Sequence, residues 1–143
     1  MKKIILLAAC SVCVCAYSQA QSISVSKVPA AAKAGFMKMY PQVKNPKWER
    51  EGVNFEGNWK AHGMDHSADF TAQGAFAGSE TDISVAKLPA KVKAYVRQHY
   101  HARITEASVN KDAQGAMQYE ADLKGKALLF DSNGNFLKSS KGD

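Results

Sequence analysis

Histidines and carboxylates are the side chains of this chain with the most chemistry to offer. His62 and His66 flank Gly63-Met64-Asp65. A tight turn there would bring two imidazoles beside the Asp65 carboxylate, a donor set suited to a metal such as zinc. The spacing crosses a turn and follows no helix face, so polar residues at an exposed turn are the plainer reading. His99 and His101 close a helical pattern, where a helix C-terminus favours positive charge. Glu49 with Glu51, or Glu56 with Glu120, would suit acid–base work only in a pocket that raises one pKa. On an open sheet face they would stay solvated. No serine stands in a nucleophile elbow. Catalytic residues and a cofactor are therefore not expected, and the chain does not read as an enzyme.

The thiols carry no chemistry for the folded protein. Cys10, Cys13 and Cys15 all lie in the stretch from Met1 to Ala20, which has a basic start, an apolar run from Ile4 and small residues at its end. That order describes a signal peptide over 1–20, cut after Ser18 or Ala20. Its apolar run is shorter than the roughly 20 residues a membrane-spanning helix needs, so no transmembrane segment is expected after cleavage. Leu7-Ala8-Ala9-Cys10 is the lesser alternative, a lipoprotein processing box. The expected protein is exported, periplasmic or extracellular. It lacks cysteine once the leader is gone, so disulfide and thiolate chemistry are excluded.

The positions of these side chains depend on elements that recur. Ile23-Ser24-Val25-Ser26-Lys27-Val28-Pro29-Ala30 returns sixty residues later as Ile83-Ser84-Val85-Ala86-Lys87-Leu88-Pro89-Ala90. Phe70-x-x-x-Gly74-x-Phe76 returns as Phe130-x-x-x-Gly134-x-Phe136 at the same offset. Such self-similarity signals a duplicated structural unit. Behind Pro29, apolar or small residues fall at Ala32, Gly35, Phe36 and Met39; behind Pro89 they fall at Val92, Tyr95, Val96 and Tyr100. Both series have the three-four spacing of one buried helical stripe. The lysines between them read as solvated helix faces, and nucleic acid is not an expected partner.

After each helix the period becomes two. Trp48, Phe55, Gly57, Trp59, Ala68 and Phe70 fall in the inward phase. Tyr119, Ala121 and Leu123 do so in the second half, and Asn133-Gly134 marks a hairpin. The expected fold is α+β: a tandem repeat of one helix plus a four-stranded antiparallel meander, helices packed on one sheet face. The units would be 21–82 and 83–143, together one compact domain. Their other face would stay polar, with Glu49, Glu51 and Glu56 in the first unit and Glu120 and Asp122 in the second.

Val28-Pro29-Ala30-Ala31 to Tyr40-Pro41, Lys47-Trp48-Glu49-x-Glu51-Gly52, Phe55-Glu56, Phe70-x-x-x-Gly74 and Glu80-Thr81-Asp82-Ile83-Ser84-x-x-x-Leu88-Pro89 follow in that order. This ordered set resembles the PepSY-like family of secreted Bacteroidetes proteins, described as similar to the β-lactamase inhibitor protein. The resemblance covers the whole chain after the leader. It implies tandem helix-plus-sheet repeats and brings no catalytic residues. His101 stands where the first half has Pro41, and nothing in the second half matches Trp48.

The expected function is a non-catalytic protein-binding module, an inhibitor or partner of a cell-envelope enzyme. Contact would be through Glu49, Glu51, Glu56, Glu120 and Asp122, since broad flat surfaces suit proteins better than small ligands. The alternative is an envelope protein that binds a small ligand or metal at the His62–His66 turn with Asp65.

Overall fold

The computed structural model describes residues 21–141; the expected leader, with Cys10 and its cleavage sites, lies outside the described residues. The chain opens with a short strand β1 (Gln21–Ile23), a 3-10 turn (Val25–Lys27) and helix α1 (Ala30–Met39). Four strands follow: β2 (Lys47–Glu51), β3 (Asn54–Ala61), β4 (Met64–Phe70) and β5 (Phe76–Asp82). A second 3-10 turn (Val85–Lys87) leads into helix α2 (Ala90–His99). Strands β6 (Glu106–Asp112), β7 (Met117–Leu123), β8 (Lys126–Asp131) and β9 (Phe136–Lys141) complete the chain.

The expected α+β tandem of one helix plus a four-stranded meander is not what forms. The described chain is mostly sheet, one nine-stranded antiparallel sheet in the order β1 to β9, with two helices. Residues 21–82 contribute five of the strands and the rest contribute four. Two pairings account for the difference. β1 adds to the outer edge of β2, with Ile23 opposite Trp48. β5 pairs with β6 from Gly78–Asp112 to Asp82–Ser108, so the ladder runs without a break where a unit boundary was expected.

Local chemistry explains the elements. Pro29 and Pro89 cap the helices in extended conformation (ψ 140° and 144°), and an alanine-rich first turn, Ala30 to Ala32, follows in α1. α1 buries Ala32 and Phe36; α2 buries Val92 and Val96. Three hairpin loops share one design: Thr71–Ala75, Asp112–Ala116 and Asp131–Asn135 each close with backbone bonds from the first residue to the fifth and the fourth to the first, at 2.9–3.1 Å. The fourth residue is Gly74, Gly115 or Gly134, with φ between 75° and 86°. Only glycine adopts that left-handed conformation freely. Asp112 and Asp131 reinforce their loops, each Oδ1 accepting two backbone N–H groups at 2.8–2.9 Å.

The core forms two clusters. Phe36 is fully buried against Trp48, Trp59, Phe70 and Tyr40, with ring centroids 5.2–5.8 Å apart. Leu88, Val92 and Val96 pack with Leu128 and Phe130 in the second cluster. The register places both on one face of the sheet. Trp59 is opposite His66, His66 opposite Thr81, Thr81 opposite Val109, Val109 opposite Tyr119 and Tyr119 opposite Phe130. Side chains alternate along a strand, so the neighbours of these residues in sequence belong to the other face.

Candidate protein-binding face

That other face carries no helix, and it gathers the acids. β2 places Glu49 and Glu51 there, and β3 places Glu56 opposite Glu49. β4 adds Asp69, opposite Glu56, and Asp65, opposite Lys60. β5 adds Glu80 opposite Ser67, and the alternation puts Asp82 on the same side. β6 and β7 add Glu106 opposite Asp122, and Ser108 opposite Glu120. Ten of the chain's thirteen acidic residues thus share one face. Asp112 and Asp131 brace loops, and Asp143 lies outside the described residues. The chain as a whole is basic, with formal net charge +6. Lys33, Lys38, Lys91, Lys93 and Arg97 sit on the helices of the opposite side. Acidic residues are thus concentrated on one face, although Lys47 and Lys60 share it.

The carboxylates do not remain freely solvated, which corrects the reading from sequence. Asp69 and Ser108 are buried, at 6% and 3% exposure. Burial raises the Glu120 carboxyl to about 7, with the Asp122 and Glu80 charges adding to it. An Nδ2–Oε2 bond of 2.9 Å from Asn110 opposes the rise. Glu56 is raised by burial, with Glu51 and Glu49 contributing, against a 2.8 Å bond from Asn58. Burial and Glu49 raise Glu51, and burial with Asp65 and Glu106 raises Asp82. Like charges directly opposite one another cost a sheet stability. The fold maintains them at Glu49–Glu56, Glu56–Asp69 and Glu106–Asp122.

All five expected contact residues, Glu49, Glu51, Glu56, Glu120 and Asp122, lie on this face. Asp69, Glu80, Asp82 and Glu106, and the paired amide Asn110, were not among the contact residues expected from sequence. Their signal was present, since Asp65-x-Ser67-x-Asp69 and Glu106-x-Ser108-x-Asn110 continue the polar phase of two.

At the turn, His62, Asp65 and His66 do not converge on one point. His62 is exposed at the turn, with φ 52°. His66 points to the helix side, its ring stacked on Trp59 at 5.2 Å and its Nδ1 3.0 Å from Thr81 Oγ1. Asp65 lies on the acidic face and pairs with Lys60 at 3.2 Å. Among the described residues, no group of three His, Cys, Asp or Glu is placed to hold a metal ion. No helix among them is long and apolar enough to cross a membrane.

Residues 60–138 match the family described as "Putative beta-lactamase-inhibitor-like, PepSY-like". The chain belongs to this family. The fold of this PepSY-like protein also recurs in solved structures. A DUF2874 family protein from Bacteroides uniformis shares 16% identity and a TM-score of 0.71, over 79% of this chain and 88% of that one. A protein from Bacteroides eggerthii, described as "putative periplasmic", shares 15% identity and a TM-score of 0.71, over 80% and 88%. A BLIP-like protein from Bacteroides fragilis shares 21% identity and a TM-score of 0.67, over 80% and 89%. At these identities the likeness establishes the fold alone. No curated protein matches the PepSY-like chain.

Proposed function

We propose that this protein is an exported, non-catalytic binding module that holds a protein partner of the cell envelope, as an inhibitor or accessory subunit, through its acidic sheet face. The observation that carries the reading is the gathering of ten acidic side chains on one helix-free sheet face, with Glu49 directly opposite Glu56. A fold optimised for its own stability would not retain them, whereas a partner presenting lysine, arginine or aromatic groups relieves the repulsion on binding. The inhibitor-like description of the family and the BLIP-like neighbour support the same class.

A carboxyl titrating near 7 also suits general acid–base chemistry. Here Glu120 lies among further carboxylates, and the Ser108 hydroxyl opposite it is buried and 3.0 Å from Asn110 Oδ1. That setting supplies repulsion to be relieved and no activated nucleophile.

The test is capture of the natural partner from envelope extract by immobilised protein. Replacing Glu56 and Glu120 together by Lys should abolish capture and leave the far-UV spectrum unchanged. Undiminished capture by E56K/E120K, with loss on mutation of His62 and His66, would overturn the sheet-face reading in favour of the turn.

A further inference from the structure

On the helix side, a groove of about 340 Å³ lies between the Val85 turn, α2 and the segment 102–105. This volume is at the small end of the range for ligand sites. Its apolar lining comes from Val85, Val96, Ala102 and Ile104. Three cations, Lys93, Arg97 and Arg103, complete it together with Thr105, and no acid lines it.

The walls are pinned. Lys93 Nζ donates to Ala86 O at 3.0 Å, tying α2 to the 3-10 turn. Thr105 donates its N–H (2.8 Å) and hydroxyl (3.1 Å) to Asp122 O, tying the loop to β7. Both arginines are exposed, and neither has a hydrogen-bond or ion-pair partner among the described residues. The fold does not demand a cation at this place on a helix: sixty residues earlier α1 carries Met37, 59% exposed. Arg97 in the last turn suits the helix dipole, but that field fades within the turn and gives no reason for Arg103, beyond the helix end.

We propose that this groove binds a medium-chain hydrocarbon carboxylate, with its head between Arg97 and Arg103 and its tail over Val85, Ala102 and Ile104. Two planar guanidinium forks match a carboxylate, and the apolar floor takes the chain. Arginine side chains along an apolar floor also satisfy both halves of an amphiphile, as their stems are themselves apolar. The site is independent of the acidic face, which lies across the sheet.

The experiment titrates the intact protein with decanoate, decanol and acetate, following calorimetry and the methyl NMR signals of Val85 and Ile104. Decanoate should saturate and shift both methyls, while decanol and acetate bind far more weakly. R97Q/R103Q, with a melting curve checked against wild type, should weaken decanoate about tenfold or more. Ala102→Phe fills the groove without removing charge and should block decanoate too. E56K/E120K should lose partner capture and keep decanoate binding, so the two readings fail separately. Equal binding of decanol and decanoate, no saturation by decanoate, or full affinity in R97Q/R103Q would each overturn the proposal.

Discussion

Glu120 shows what burial, and then the neighbouring acids, do at a single residue of the acidic face. Its carboxyl is raised from an ordinary value of 4.5 to about 7. The folded protein therefore holds a proton that the unfolded chain has released at the same pH. Stability is lost as pH rises through that window and is unaffected below it. Glu120→Gln keeps the oxygen that accepts from Asn110 and removes the charge. The substitution should stabilise the protein at pH 8 by about 1–2 kcal/mol, after allowing for partial solvent screening. The gain should vanish near pH 4. Urea melts at both pH values check this, and equal midpoints at pH 8 would show that Glu120 ionises without penalty in the fold. Asp131 behaves oppositely. Its bonds from Asn135 and Asn133 hold its pKa below the usual 3.8. The support it gives its loop is thus complete above that value and is lost only as pH falls through the lowered pKa.

At the scale of elements, α1 sits on the sheet through close approaches that leave no room for a methyl group. A Cβ on Gly57 of β3 would lie 2.5 Å from Phe36 Cε2 and 2.8 Å from Cδ2. Phe36 is ringed by other aromatics and cannot yield, so Gly57→Ala should cost about 1–3 kcal/mol. Phe70→Ala, at a site 1% exposed, should cost about 3–5 kcal/mol. Urea midpoints measure both, and a loss below about 1 kcal/mol would show that the site relaxes. The helices were legible in sequence because Ala32, Phe36, Val92 and Val96 keep the three-four period and are buried. Met39, in the same expected stripe, is 47% exposed because α1 ends there. β6 was not legible. Glu106-Ala-Ser-Val-Asn-Lys-Asp buries only Ala107 and Ser108, so it lacks the bulky alternation that marks a strand. Missing β6 hid the join to β5, and with it the single sheet. Half of the acidic face was missed for a related reason. Each carboxylate, judged singly, looks solvated, and only the register shows which ones stand opposite.

For the whole molecule, the unbroken ladder from β5 to β6 joins the two core clusters mechanically. Both tryptophans, Trp48 and Trp59, belong to or pack on the first cluster, whereas Phe130 belongs to the second. Phe130→Ala should therefore lower the tryptophan-detected midpoint as far as the midpoint seen by circular dichroism. A tryptophan transition unmoved by Phe130→Ala would show two independently melting halves. The strand order has a kinetic side as well. Every strand pairs only with its neighbours in sequence, so the sheet contains no crossover. The two longest closures are those spanned by α1 and α2, and the other six are tight turns between adjacent strands. Loop-closure entropy is thus met in small steps, and the chain can zip outward from either hairpin region. For a protein so rich in strand this means low contact order, and refolding on the order of milliseconds to tens of milliseconds in stopped-flow fluorescence. Among the described residues, a chain that completes its sheet this quickly leaves β1 and β9 as the strands at its rims, and the interior strands are already paired when neighbouring molecules meet it.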